Sequence, residues 1–70
     1  MNYTVIIREA PDGCWIASCP LVPEAHAQGK NYDECLKNIT EALRLCIEYR
    51  AERSEEIPDE SKSRQVLVAL

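Results

Sequence analysis

Seventy residues and 8.0 kDa leave room for one small domain, read here as a single unit over residues 1–70. Twelve acidic residues against eight basic ones give a net charge of -4, which excludes a basic module that tracks nucleic-acid phosphates. The 46% hydrophobic content argues against disorder, and no apolar run approaches the roughly 18 residues that span a membrane. A chain this short buries only about 60% of the surface it exposes when unfolded, so a staple or a partner subunit is expected.

The first element in chain order is a β-branched run over residues 2–9, with Tyr3, Val5 and Ile7 on one face and Thr4, Ile6 and Arg8 on the other. Pro11-Asp12-Gly13 supplies the turn: proline fixes φ, aspartate caps locally and glycine takes the left-handed position. A second extended run, Cys14 to Cys19, carries Trp15 and Ile16 and closes a hairpin. Pro20 and Pro23 bracket a loop, since neither can donate to a sheet ladder. His26-Ala27-Gln28 reads as a short third strand or extended connector, closed by Gly29.

The strongest signal follows. Asn31 with Glu34 three residues on forms a capping-box pattern, and Asp33 and Glu34 suit a helix N-terminus. Leu36, Ile39, Leu43, Cys46, Ile47 and Arg50 recur at helical spacing, and Cys35 and Ala42 widen the stripe. Lys37 with Glu41 and Arg44 with Glu48 are candidate i, i+4 ion pairs. The helix is expected to end near Arg53, ahead of Pro58. After a polar linker over residues 55–63, Val66-Leu67-Val68-Ala69-Leu70 reads as a final strand.

This order, β-β-β-α-β, predicts an α+β two-layer sandwich with one helix on a four-stranded mixed sheet of order 3-2-1-4. One sheet face then lacks a helix, and Ile6 and Ile16 are expected there as an apolar patch open to a partner.

The four cysteines suggest neither disulfides nor a metal. Cys14 and Cys19 have an odd offset in one strand, Cys35 and Cys46 lie three turns apart on one helix face, and neither pair matches C-x2-C. They are read as reduced thiols acting as small hydrophobes. With no signal peptide in Met1-Asn2-Tyr3-Thr4-Val5, the protein is expected to be cytoplasmic. Catalysis is not expected. The first strand offers only Glu9 as a metal-site carboxylate, Asp12 is a turn residue, and His26 has no nucleophile or carboxylate pattern around it. No base is placed to activate Cys14 or Cys19, and no cofactor is implied.

The run Tyr3-Thr4-Val5-Ile6-Ile7, the turn Asp12-Gly13 and the stretch Trp15 to Pro20 resemble the start of HicB-type antitoxin domains. So do Gln28-Gly29, the stretch Asn31 to Ile39, and Glu41-Ala42. The resemblance covers nearly the whole chain, in order and with compatible spacing. It implies a β-β-β-α-β fold of degraded ribonuclease H-like type, and a partner: a small basic HicA toxin that cleaves RNA. Pro23-Glu24-Ala25 departs from the family's Pro-Gly-Cys. The chain also ends at the last expected strand, so the operator-binding extension of many members is expected to be absent, and with it direct DNA binding.

The sequence therefore predicts a binding module of antitoxin type. Residues 32–60 carry nine acids and four bases, a surface that would steer a cationic partner. The tentative interface residues are Ile6, Trp15, Ile16, Glu41 and Glu48, with Trp15 either an anchor for the partner or the core's one large aromatic. The alternative is a stand-alone homo-oligomeric scaffold, a dimer or tetramer pairing sheet faces, with no toxin to inhibit.

Overall fold

A computed structural model describes residues 2–70. Its regular elements are β1 (Ile6–Glu9), β2 (Trp15–Ser18), β3 (His26–Gly29), α1 (Tyr32–Glu52) and a 3-10 turn over Glu60–Lys62.

The hairpin forms where its turn chemistry demands. Gly13 sits at φ 91°, Asp12 Oδ1 accepts from the Cys14 amide at 3.0 Å, and Ala10 and Cys14 close the turn through the backbone. β1 pairs antiparallel with β2 and β2 antiparallel with β3, so alternation fixes two faces. Ile7, Ala17 and Ala27 line one and point at the helix. Ile6, Ile16, Arg8, Ser18, His26 and Gln28 line the other.

The helix starts on the expected cap. Asn31 Oδ1 accepts from the Glu34 amide at 2.8 Å, while Glu34 Oε1 reaches back to the Lys30 amide at 3.1 Å. This reciprocal pair satisfies two amides at the helix start, shifted by one residue from the usual capping box. The far end closes as a Schellman motif: Ser54 takes φ 56°, its amide donates to Ala51 O, and the Glu55 amide donates to Arg50 O. A serine thus fills a position that favours glycine, and the helix ends at Arg53 as expected.

One apolar stripe of α1 covers β3 and β2 and barely reaches β1. Ala17, Cys19, Val22, Ala25, Cys35 and Ile39 are the buried core. Val22 and Ala25 belong to the proline-bracketed loop, where two successive turns (Val22 N to Cys19 O, Ala25 N to Val22 O) fold the chain under the helix. That loop is core. Its apolar pair Leu21-Val22 was the available signal.

The expected four-stranded mixed sheet of order 3-2-1-4 is not what forms. Among the described residues the sheet has three antiparallel strands in the order β1-β2-β3, and Val66–Leu70 pairs with nothing in its own chain. The cause lies just upstream. The Tyr3 hydroxyl donates to Pro58 O at 2.6 Å, and the Glu60 carboxylate takes both the Thr4 amide and, at 2.9 Å, the Thr4 hydroxyl. Asp59 then caps the 3-10 turn through the Ser61 amide and hydroxyl. The chain is held beside residues 3 and 4 and passes Pro20 and Leu21 without joining the sheet. This tether also explains why β1 begins at Ile6 rather than at residue 2. The ribonuclease H-like topology was expected together with the fourth strand and is withdrawn with it; the layered α+β arrangement remains.

Candidate interaction surfaces

The tentative interface residues fall on three separate surfaces. Ile6 and Ile16 sit together on the sheet face away from the helix, where Ile6 is 52% exposed and forms a shallow apolar groove with Ile16. Arg8, Ser18, His26 and Gln28 rim it. Trp15 lies on the opposite face: half-buried, it packs on the core and meets Tyr32 edge-on, with ring centroids 5.8 Å apart and planes at 85°. Trp15 is a core aromatic, not an exposed anchor. Glu41 and Glu48 stand on the outer side of α1, and both are exposed.

That outer side carries something the sequence reading missed. Leu45 and Tyr49, one helical turn apart, are 60% and 58% exposed. At 100° per residue they lie beside Glu41, Glu48 and Glu52, so an apolar pair sits within an acidic border. Arg53 leans over the Tyr49 ring at 5.3 Å. The signal was there to find, because both residues fall off the core-facing stripe. An apolar residue on the wrong side of an amphipathic helix is a candidate contact.

The ion pairs also differ from expectation. Among the described residues, neither Lys37–Glu41 nor Arg44–Glu48 closes; the pairs are Arg50–Glu24 and Arg53–Glu55, each at 2.7 Å. Exposed i, i+4 partners gain little from holding two long side chains still. Arg50 does better because its fork meets both Glu24 oxygens, at 2.7 and 2.8 Å, and donates to Glu56 O. It ties the proline loop and the linker to the end of α1.

The Arg50 hydrogen bonds hold the Glu24 carboxyl below its ordinary value of 4.5, and the same contact raises the Arg50 guanidinium. A depressed folded-state pKa adds stability above the ordinary value and loses it as pH falls through the depressed one. Glu24→Gln is therefore expected to lower the urea midpoint at pH 7 and to flatten its fall below about pH 4.5. Unchanged midpoints at both pH values would show that the clamp contributes nothing.

The thiols are Cys14, exposed, Cys19 and Cys35, buried, and Cys46, half-buried. Burial pushes the Cys46 thiol up, and the nearby Glu24 charge adds to the shift. Three of the four thus pack as small hydrophobes, while Cys14 borders the turn in water. Among the described residues no three His, Cys, Asp or Glu side chains converge on a common point as metal ligands, and no helix is long and apolar enough to cross a membrane. His26 lies across from Ser18 on the open sheet face.

No family model matches the chain. Individual proteins do. The UPF0150 protein ssr1765 of Synechocystis sp. is 39% identical over 59 residues, covering 84% of this chain and 75% of that protein. The UPF0150 protein Ta0767 of Thermoplasma acidophilum is 43% identical over 58 residues, covering 83% and 84%. The chain belongs to the UPF0150 family. A weaker likeness links this UPF0150 chain to Antitoxin HicB 1 of Photorhabdus laumondii, at 34% identity over 58 residues. That match takes in 83% of the chain but 37% of the antitoxin, so the HicB likeness holds at a coarse level and for one part of that protein.

Proposed function

We propose that the chain is an antitoxin-like binding module, not an enzyme, which neutralises a basic HicA-type RNA-cleaving toxin by direct contact. The observation that carries this reading is the likeness to Antitoxin HicB 1, which takes in 83% of the chain. The outer face of α1 supports it. Leu45 and Tyr49 offer apolar area, and Glu41, Glu48 and Glu52 offer the charge that a cationic partner needs for fast encounter. No cofactor or metal takes part, and the complex forms in the cytoplasm.

The test is to mix the protein with a HicA-type toxin, follow complex formation by size exclusion, and measure residual RNA cleavage. A stable complex with suppressed cleavage is expected. The double variant Glu41→Lys/Glu48→Lys should slow association about tenfold at low salt and much less at high salt. Absence of a complex, with a stable homo-oligomer of the protein alone, would replace this reading with the stand-alone scaffold. The open groove at Ile6 and Ile16 is what favours that second reading.

A further inference from the structure

Val66–Leu70 is the least expected part of the molecule. Val66, Leu67, Val68 and Leu70 are 76%, 101%, 75% and 119% exposed, although the segment is wholly apolar and rich in strand-forming residues. The radius of gyration is 13.3 Å, against about 11 Å for a compact chain of this length. The chain thus carries an arm that stands away from its body. A small protein that left such a segment in water would present an aggregation site.

The receptor for it is on the same chain. β1 is an outer strand bonded only to β2, and its other edge offers a row of amide and carbonyl groups. Helix α1 barely reaches this strand. No Pro interrupts Ile6-Ile7-Arg8-Glu9, so the strand keeps every backbone amide for pairing. At about 3.3 Å per residue, a five-residue arm spans the four-residue strand. In its own chain the arm does not pair with β1: past the Thr4–Glu60 and Tyr3–Pro58 contacts and the 3-10 turn, the residues that lead to it, Ser63 to Gln65, lie by Pro20 and Leu21.

We propose that Val66–Leu70 is an exchanged arm: in a two-fold pair of chains, each arm adds as a strand to the free β1 edge of the other copy. Each chain offers one unpaired edge and one unpaired strand, so a two-fold pair uses both and leaves neither over. The arm leaves the body beside Thr4, next to the strand it would need to meet, so an axis near β1 lets both arms cross at once. The sheet contributed by each chain stays three-stranded; the added strand belongs to the partner. This pairing is independent of toxin binding, and either can fail without the other.

The test needs no partner protein: multi-angle light scattering on the full chain, on a chain truncated after Arg64, and on the full-length variant Val68→Pro. The full chain is expected to be a dimer at micromolar concentration. Truncation should give a monomer with unchanged helical circular dichroism, since the arm packs on nothing in its own chain. Val68→Pro keeps the arm apolar but removes one ladder amide, and it should weaken dimerisation by roughly 100-fold. A full chain that stays monomeric would overturn the proposal. So would a truncated chain that stays dimeric, which would place the contact on the open sheet face.

Discussion

Replacing Ile39 by alanine is expected to cost about 2–5 kcal/mol of folding free energy. The side chain has 0% exposure and is the largest in the buried cluster, closed in by Val22, Cys19 and Cys35. A domain of this size has roughly 4–10 kcal/mol in total, at about 0.05–0.15 kcal/mol per residue. One truncation therefore removes a large share. In thermal unfolding, the midpoint should fall by at least about 8 °C, given about 4–8 °C per kcal/mol in small domains. Ile39→Val supplies the control, with an expected loss of about 0.5–1.5 kcal/mol. If the alanine variant lost less than the valine variant, the core would not be centred where the helix crosses β2 and β3.

The second large effect comes from adding one carbon. A Cβ at Gly29 would lie 2.6 Å from the Cys35 amide nitrogen and 3.0 Å from both Cys35 Cα and Glu34 C. These are backbone atoms in the first turn of α1, and no rotamer change can move them aside. Gly29→Ala is expected to cost about 1–3 kcal/mol, because the helix start must lift off the end of β3. Lifting it would also loosen Asn38, whose amide nitrogen donates to Gln28 O at 2.8 Å. The glycine is needed here for close approach of helix to strand. A melting temperature unchanged from the parent chain, measured by circular dichroism, would mean that the first turn is not packed this tightly.

Local chemistry made much of this fold legible. Pro11-Asp12-Gly13 states its turn in three residues, and Asn31 with Glu34 states a helix start, because each partner lies within four positions. The two sheet faces followed from the period of two, which put Ile6 and Ile16 away from the helix. What escaped depended on residues far apart in sequence. The apolar run Val66–Leu70 has the composition of a strand, and composition cannot tell whether the edge it needs lies in the same chain. Arg50 sits on the core-facing stripe of α1 and looked like part of it, whereas its stem packs there and its head turns to Glu24, 26 residues away. Val22 and Ala25 were hidden by the two prolines beside them, which mark a loop but not its burial. On the interaction surfaces, Glu41 and Glu48 were readable as exposed acids, yet the apolar pair beside them was not sought off the stripe.

The contacts of Tyr3 and Thr4 with Pro58 and Glu60 join residues 55 and 56 positions apart, while the hairpin and helix are built from neighbours. A link of that span closes only after the local elements exist, since the loop entropy must be met first. It is accordingly expected to be absent from the folding transition state and to act as a latch on the finished molecule. Thr4→Ala should leave the refolding rate nearly unchanged and speed unfolding instead. The lifetime of the native state, more than the speed of reaching it, is then set where Tyr3 and Thr4 meet Pro58 and Glu60.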